Sequence, residues 1–361
     1  MAFYRKRGNK WQARITYYDN GVKKEVSKGG FKTKSEAKRY AVDMENKLNN
    51  GNRPTNISFP DYFDDWFKTY KKDRLATYTI RGYNAVSRLL HEGLNKRIDK
   101  ISRSDYQELI NEYGRMHAPE TVRKVNAIIR SCVNSAIYDR YITTDFTQKV
   151  YLTANKERVR KVEYMNINEI TRLIKVCKER MTPQAPTYYM ILTAIYTGMR
   201  IGEIGALTWK DIDFKWNTIN VNKAWDFLNS CFKSTKTEGS NRTLKVNDDL
   251  LECLQDLKVN GNEMVFAKPS DGLPPSYVGA NNTLHKVMTA AGITKQGFHF
   301  HSLRHSHVAY LLYKGVDLYA ISKRLGHTNM TITSERYAYL IDEYRVKSDN
   351  QIEQLLDGLT R

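Results

Sequence analysis

Residues 325–340, LGHTNMTITSERYAYL, place a Gly-His pair ahead of two tyrosines, with Tyr337 ten positions after His327 and Tyr339 two further on. Two readings compete for these rings. The chain holds 24 tyrosines, so both can simply pack. Alternatively one is a nucleophile. A phenol has a pKa of about 10 and is almost wholly protonated at neutral pH, so as a nucleophile it needs a cationic pocket and a proton acceptor. Whether the rest of the chain supplies them decides both chemistry and fold.

The chain has 361 residues, room for two or three domains. Its 58 Lys and Arg outnumber 39 Asp and Glu, for a formal charge of +19, which points to a polyanionic partner, nucleic acid first among them. No apolar run approaches the roughly 18 residues of a membrane span, and MAFYRKRGNKWQ lacks the apolar core of a signal peptide. A cytoplasmic protein with no membrane partner is expected. Cys132, Cys177, Cys231 and Cys253 stand singly, against a disulfide framework or a cysteine zinc site.

The first fifty residues carry 13 Lys and Arg against 5 Asp and Glu. KWQARITYYD alternates like a strand, Asn20-Gly21 signals a hairpin, and VKKEVSKGGF resumes as strand. A helix follows with a Ser35-Glu36 start and Ala37, Tyr40, Ala41, Met44 and Leu48 on one face. After the polar NNGNRPTN, helices are expected near 60–72, 77–92, 103–115 and 119–139. The last sets Val122, Val125, Ile128, Ile129, Val133, Ala136 and Ile137 on one face, with Arg123, Lys124 and Arg130 off it. Those cations either form a solvated face or meet phosphates. A polar, basic linker is expected near 152–162. Beyond it the pattern predicts helices near 168–180 and 187–197, a third after a glycine turn, strands near 218–225 and 241–247, and further helices.

Four stretches in this last region carry candidate chemistry. In TGMRIGEIGALTW, Gly198 breaks one helix and Arg200 opens the next, with Glu203 and Leu207 at i+3 and i+7. An arginine at a helix N-terminus is electrostatically odd unless an anion sits there; otherwise it is a surface pair with Glu203. STKTEGSNRTLKV reads as strand, turn and strand with EGSN as the turn, and Lys236 lies just before it. FHFHSLRHSHVAYLL holds His299, His301, His305 and His307 around Arg304. Zinc is disfavoured there, because no Asp or Glu lies in the cluster and Arg304 would repel a cation. His301 and Arg304, at i,i+3, suit an acid/base group beside an anion clamp, while His299, His305 and His307 read as packing or polar contacts. The fourth stretch is the Gly-His…Tyr run.

In this order, Arg…Lys…His-x-x-Arg…Gly-His…Tyr resembles the active-site signature of the tyrosine recombinase (phage integrase) family, most closely integrases of temperate phages and integrative elements from Gram-positive bacteria. The resemblance spans the chain. It implies a multi-domain, mainly α fold with small β-sheets: an arm-type DNA-binding domain over 1–52 with a three-stranded sheet plus helix, a helical, SAM-like core-binding domain over 58–152, and a mixed α/β catalytic domain over 160–361. It implies that Arg200 and Arg304 clamp a scissile phosphate, Lys236 protonates the leaving 5′ oxygen, His301 assists proton transfer, His327 supports the phosphate or nucleophile, and Tyr337 attacks. Glu203 is then a buried partner that orients a basic side chain. Tyr339 then packs or lies at the site's edge. Arg5, Lys6, Arg7, Lys10, Arg14, Arg123, Lys124 and Arg130 become candidate DNA contacts. Ser302 departs from the Asp or Glu often found there, and Lys233 and Lys245 flank the choice of Lys236.

The implied activity is site-specific recombination through a 3′-phosphotyrosyl bond, with no metal, ATP or other cofactor. The implied partners are double-stranded DNA at core and arm sites, three further copies in a tetramer on DNA, and an excisionase or DNA-bending host protein, at the nucleoid of a bacterial host. Ile352, Leu355, Leu356 and Leu359 form an apolar stripe suited to docking on a neighbouring protomer or in cis. The alternatives are a Xer-like or topoisomerase IB-like strand transferase, and a DNA-binding regulator that never cuts.

Overall fold

Strict alternation from Lys10 to Asp19 makes the central strand of an N-terminal sheet, because its inward residues Ala13 and Ile15 must be covered. The computed structural model describes residues 2–19, 22–49, 56–159, 162–235 and 238–326, together with Ser334, Tyr337 and Leu356. Strands β1 (Ala2–Arg7), β2 (Lys10–Asp19) and β3 (Val22–Phe31) pair antiparallel in that order. The turn residues of the expected hairpin, Asn20 and Gly21, lie outside the described residues. Helix α1 (Lys34–Asn49) covers the sheet with Ala37 and Ala41. Thr33, rather than Ser35, opens it: Thr33 Oγ1 accepts from the Glu36 amide at 3.2 Å, and Glu36 accepts from the Lys32 amide at 2.9 Å.

Four helices follow: α2 (Phe59–Tyr70), α3 (Thr77–Gly93), α4 (Arg103–Arg115) and α5 (Pro119–Tyr138). Ser102 and Asp105 close a reciprocal cap on α4, and Pro119 starts α5, where a missing N–H costs nothing. The predicted face of α5 is the one buried, with Val122, Val125, Ile129, Val133 and Ala136 packed against Phe59, Phe63, Trp66 and Tyr106.

The chain divides into two compact units, residues 1–160 and 161–361. The second is built around α7 (Thr187–Thr197), apolar on every side and therefore enclosed. Around it lie α6 (Ile167–Arg180), α8 (Ile201–Gly205), α9 (Asp248–Gln255), α10 (Tyr277–Ala290), α11 (Phe300–Tyr313) and α12 (Leu318–Leu325). Helix α8 is shorter than the spacing to Leu207 implied. Gly202 and Gly205 lie so close to the strand beside them that a Cβ would come within 3.2 Å of Trp225 O and 3.1 Å of the Phe227 ring.

The strand expected over 218–225 is in fact two. Strand β5 (Thr218–Val221) joins β4 (Ile212–Asp213) and β8 (Arg242–Lys245) in the order β4-β5-β8, whereas among the described residues β6 (Lys223–Asp226) pairs with β7 (Cys231–Ser234) alone. STKTEGSNRTLKV does hold a strand on each side of its turn, but the two are not a hairpin: among the described residues β7 pairs with β6 and β8 with β5.

Candidate active site

Gly198 ends α7 in the left-handed conformation, φ 68°, and a Cβ there would come within 2.6 Å of the His307 ring. Only glycine satisfies both constraints, and its turn delivers Arg200 to the start of α8. There the Arg200 amide donates to Glu203 Oε2 at 3.0 Å and its guanidinium to Oε1 at 2.6 Å. Glu203 Oε2 also accepts from Arg242 Nη2 at 2.8 Å, so one buried carboxylate bridges two arginines. Burial pushes the Glu203 carboxyl up, but Arg242 and Arg200 outweigh it and hold the group at about 2.

Arg304, on α11, is 2% exposed. It donates to the Gly198 and Leu325 carbonyls, each at 2.7 Å, at the C-terminal ends of α7 and α12. Carbonyls at helix ends lack intrahelical partners and carry the negative end of the dipole, which suits a buried cation. Burial and the neighbouring Arg200 charge push Arg304 down to about 9, so it stays protonated at neutral pH. Arg324, on α12, donates to Lys245 O at 3.0 Å, Tyr196 O at 3.1 Å and His307 Nε2 at 3.2 Å. Arg200, Arg242 and Arg304 thus gather around Glu203, with Arg324 next to Arg242, an arrangement that favours an anion.

The four histidines separate by partner. His299 caps α11, and Ser302 Oγ accepts from its amide at 3.2 Å, the place a carboxylate often fills in such a cap. His301 is half-buried, its ring edge-on to His305. His307 donates from Nδ1 to Ile195 O at 2.8 Å and accepts from Arg324. Its burial and the Arg324 charge push it down to about 3, so it is neutral. His305 makes a buried polar contact: its Nδ1 lies 2.7 Å from the Tyr337 hydroxyl, and Tyr337 is 1% exposed. Lys236, His327 and Tyr339 lie outside the described residues. Among the described residues no cluster of three His, Cys, Asp or Glu could hold a metal ion.

Reading the sequence missed Arg242 and Arg324, and assigned His305 no part in the chemistry. Arg242 sits in an ordinary strand and Arg324 in the last turn of a helix, where a cation needs no special purpose. Only the fold brings them to Glu203 and His307.

The remaining candidates are on the surface. Register pairs Arg5 with Gln12 and Arg7 with Lys10, so Arg5, Arg7, Lys10 and Arg14 share the sheet face turned away from α1, where Phe3 and Tyr18 are also exposed. Lys6, opposite Trp11, lies on the helix side instead. Arg14 pairs with Glu25 at 2.9 Å. On α5, Arg123 and Lys124 both reach Glu120, at 3.0 and 3.8 Å, and Arg130 is exposed.

Two depressed groups make this unit acid-sensitive. His307 stays unprotonated while its unfolded counterpart charges near 6.5, so the unfolded state binds more protons and stability is lost as pH falls from about 6.5 toward 3. Glu203 acts likewise from about 4.5 down to 2. The melting temperature should fall steadily below about pH 6.5, and His307→Gln should flatten the upper part of that fall. A melting temperature constant from pH 7 to 4 would contradict the His307 assignment.

Residues 163–343 match the phage integrase family, residues 2–48 an arm DNA-binding domain, and residues 58–113 the N-terminal SAM-like domain of phage integrases. The integrase of Staphylococcus phage L54a is 24% identical over 361 residues, covering 89% of this chain and 99% of its own. The ICEBs1 integrase of Bacillus subtilis is 23% identical over 345 residues, covering 88% and 90%. The fold is similar to that of the Tn1549 transposon integrase solved with transposon right end DNA (TM-score 0.69, 18% identity, 81% of this chain and 99% of that one). It is also similar to lambda integrase in a tetramer bound to a Holliday junction (TM-score 0.61, 17% identity, 91% and 96%). With its arginine-lined histidine–tyrosine site and a match across half its length, the chain belongs to the phage integrase family of tyrosine recombinases, enzymes that cut and rejoin DNA.

Proposed function

We propose that this chain integrates a phage or integrative element of a Gram-positive host and, with an excisionase or a DNA-bending host protein, excises it. The observation that carries this is the Tyr337 hydroxyl seated on His305 beside the arginine cluster. Arg200 and Arg304 hold the non-bridging oxygens of the scissile phosphate, where planar guanidinium groups balance the charge that develops on phosphorus oxygens. Tyr337 attacks phosphorus, forming a 3′-phosphotyrosyl bond and releasing a 5′ oxygen that Lys236 protonates. His301 assists proton transfer and His327 supports the phosphate. The phosphodiester's energy is kept in the new bond, so rejoining requires neither metal nor ATP. Glu203 holds Arg200 and Arg242 in register. Its role is orientation.

Residues 1–52 serve as the arm-site module, through Arg5, Arg7, Lys10 and Arg14 with Lys6 at the sheet's edge. Residues 58–152, with Arg123, Lys124 and Arg130, grip core DNA, and 160–361 carry the chemistry. Two linked modules raise the effective concentration of each on the DNA. The work is done in the cytoplasm, at the nucleoid, by four copies. The catalytic unit holds a largely apolar cavity of about 660 Å³ walled by Ile170, Ile174, Leu311 and Ile321, with His307 and Arg324 on its wall as well, chemistry that suits the stripe Ile352, Leu355, Leu356 and Leu359. Deleting 350–361 is expected to leave single-site binding intact and abolish tetramer assembly. Full recombination and normal tetramers in the truncated protein would exclude docking between protomers.

The test of the reaction class is a duplex nicked beside the cleavage position of a verified attachment site, so that the short fragment diffuses away. A denaturation-resistant protein–DNA adduct should accumulate in excess EDTA, and digestion should leave the nucleotide on Tyr337 rather than Tyr339. Tight binding with no adduct would make the protein a DNA-binding regulator.

A further inference from the structure

A phenol held 2.7 Å from an imidazole nitrogen, both side chains nearly excluded from solvent, has the geometry of a nucleophile and its base. The two rings meet at 62° with centroids 5.6 Å apart. His305 lies one helical turn beyond His301, whose ring meets it edge-on at a centroid distance of 5.0 Å. The residue before it, Arg304, is near enough to Tyr337 for their charges to interact. Tyr337 therefore has a proton acceptor and a cation at hand. The acceptor is a histidine that sequence alone reads as packing or a polar contact.

We propose that His305 is a catalytic residue of strand cleavage, the general base that takes the phenolic proton of Tyr337. The inference rests on the recombinase reading, with Tyr337 as the nucleophile. Neutral His305 carries its proton on Nε2 and accepts at Nδ1. As the Tyr337 oxygen bonds to phosphorus, its O–H bond breaks and the proton passes to Nδ1. The bond from phosphorus to the 5′ oxygen breaks in the same displacement, and that oxygen leaves with a proton from Lys236. His305 is left as imidazolium, and Arg304 offsets the charge on the attacking oxygen. Rejoining runs the steps backwards: the 5′ hydroxyl attacks phosphorus, and Tyr337 leaves with the proton from His305. Full transfer before attack would be uphill, since phenol and imidazole differ by about 3.5 pKa units. The proton moves as the phosphorus–oxygen bond forms, when the phenol becomes a stronger acid. His301 remains available for the phosphate side of the site.

The experiment is single-turnover adduct formation by the full chain on the nicked duplex, comparing wild type with His305→Asn and His305→Gln. The amide oxygen of either variant still accepts a hydrogen bond from the phenol but cannot take its proton, so holding and deprotonating are separated. Both variants should slow adduct formation by about 10²–10⁴-fold while binding DNA as wild type does. Placing 3,5-difluorotyrosine at 337, a more acidic phenol, should recover the slowed variants by at least about tenfold more than it accelerates wild type, as Brønsted behaviour requires. Wild-type rates in a folded His305→Asn or His305→Gln protein would overturn the proposal. So would slow variants that gain nothing from the acidic phenol, since His305 would then only position the ring. If wild type itself forms no adduct on a verified site, the recombinase reading fails instead, and the two failures are told apart.

Discussion

Tyr337→Phe is expected to abolish strand cleavage and leave DNA binding unchanged. The substitution removes one oxygen, and in the proposed mechanism that oxygen is the atom that joins phosphorus. Loss of a covalent nucleophile in other enzymes costs on the order of 10⁶ in rate, which in a single-turnover gel means no detectable adduct. The ring stays buried among Val308, Ile321 and Leu325, so the core should hold. The lost hydrogen bond to His305 should cost about 1 kcal/mol of stability. Tyr339→Phe should form adduct at close to the wild-type rate. Cleavage that survives Tyr337→Phe and disappears in Tyr339→Phe would move the nucleophile two residues along and detach it from His305.

The second large effect is expected at Arg304→Lys, which keeps the charge and loses the fork. One ammonium cannot donate to both Gly198 O and Leu325 O in the directions that the guanidinium does. Losing one of these charge-assisted bonds should cost about 1.5–3 kcal/mol, seen as a lower melting temperature. A buried ammonium also surrenders its proton more readily than a guanidinium, so the clamp weakens twice. Adduct formation should fall by about 10²–10³-fold, the scale for removing one preorganised donor from a transition state. Cleavage close to the wild-type rate would remove Arg304 from the clamp and leave it a purely structural tie between two helix ends.

Much of this was legible before the fold. Local signals located the helices, because caps such as Ser102 with Asp105 and the apolar stripe of α5 act within a few residues of themselves. Glu203 was placed beside Arg200 for the same reason. What sequence could not resolve depends on distant segments. Nothing in TINVNKAWD marks the point where one sheet ends and another begins, since both halves alternate. His301 and His305 share a helical face and a chemistry; which of them meets the phenol is decided by the segment carrying Tyr337, 32 positions on. Arg242 and Arg324 carry no local mark of a role, and only tertiary packing brings them to Glu203 and His307.

The partners of the arginines have an electrical consequence. Arg304, Arg242 and Arg324 each place two of their hydrogen bonds on main-chain carbonyls, those of Gly198, Leu325, Arg324, Ser240, Lys245 and Tyr196. A carbonyl satisfies an N–H with a dipole and contributes no formal charge. Glu203 offsets one charge at Arg242 and Arg200; had carboxylates held the other groups too, an incoming phosphate would meet a wall already neutralised and would have to compete for every donor. Here the scaffold fixes the guanidinium planes and leaves most of their field unspent. The cost of crowding like charges is met when the chain folds, so it need not be met again each time a DNA strand arrives.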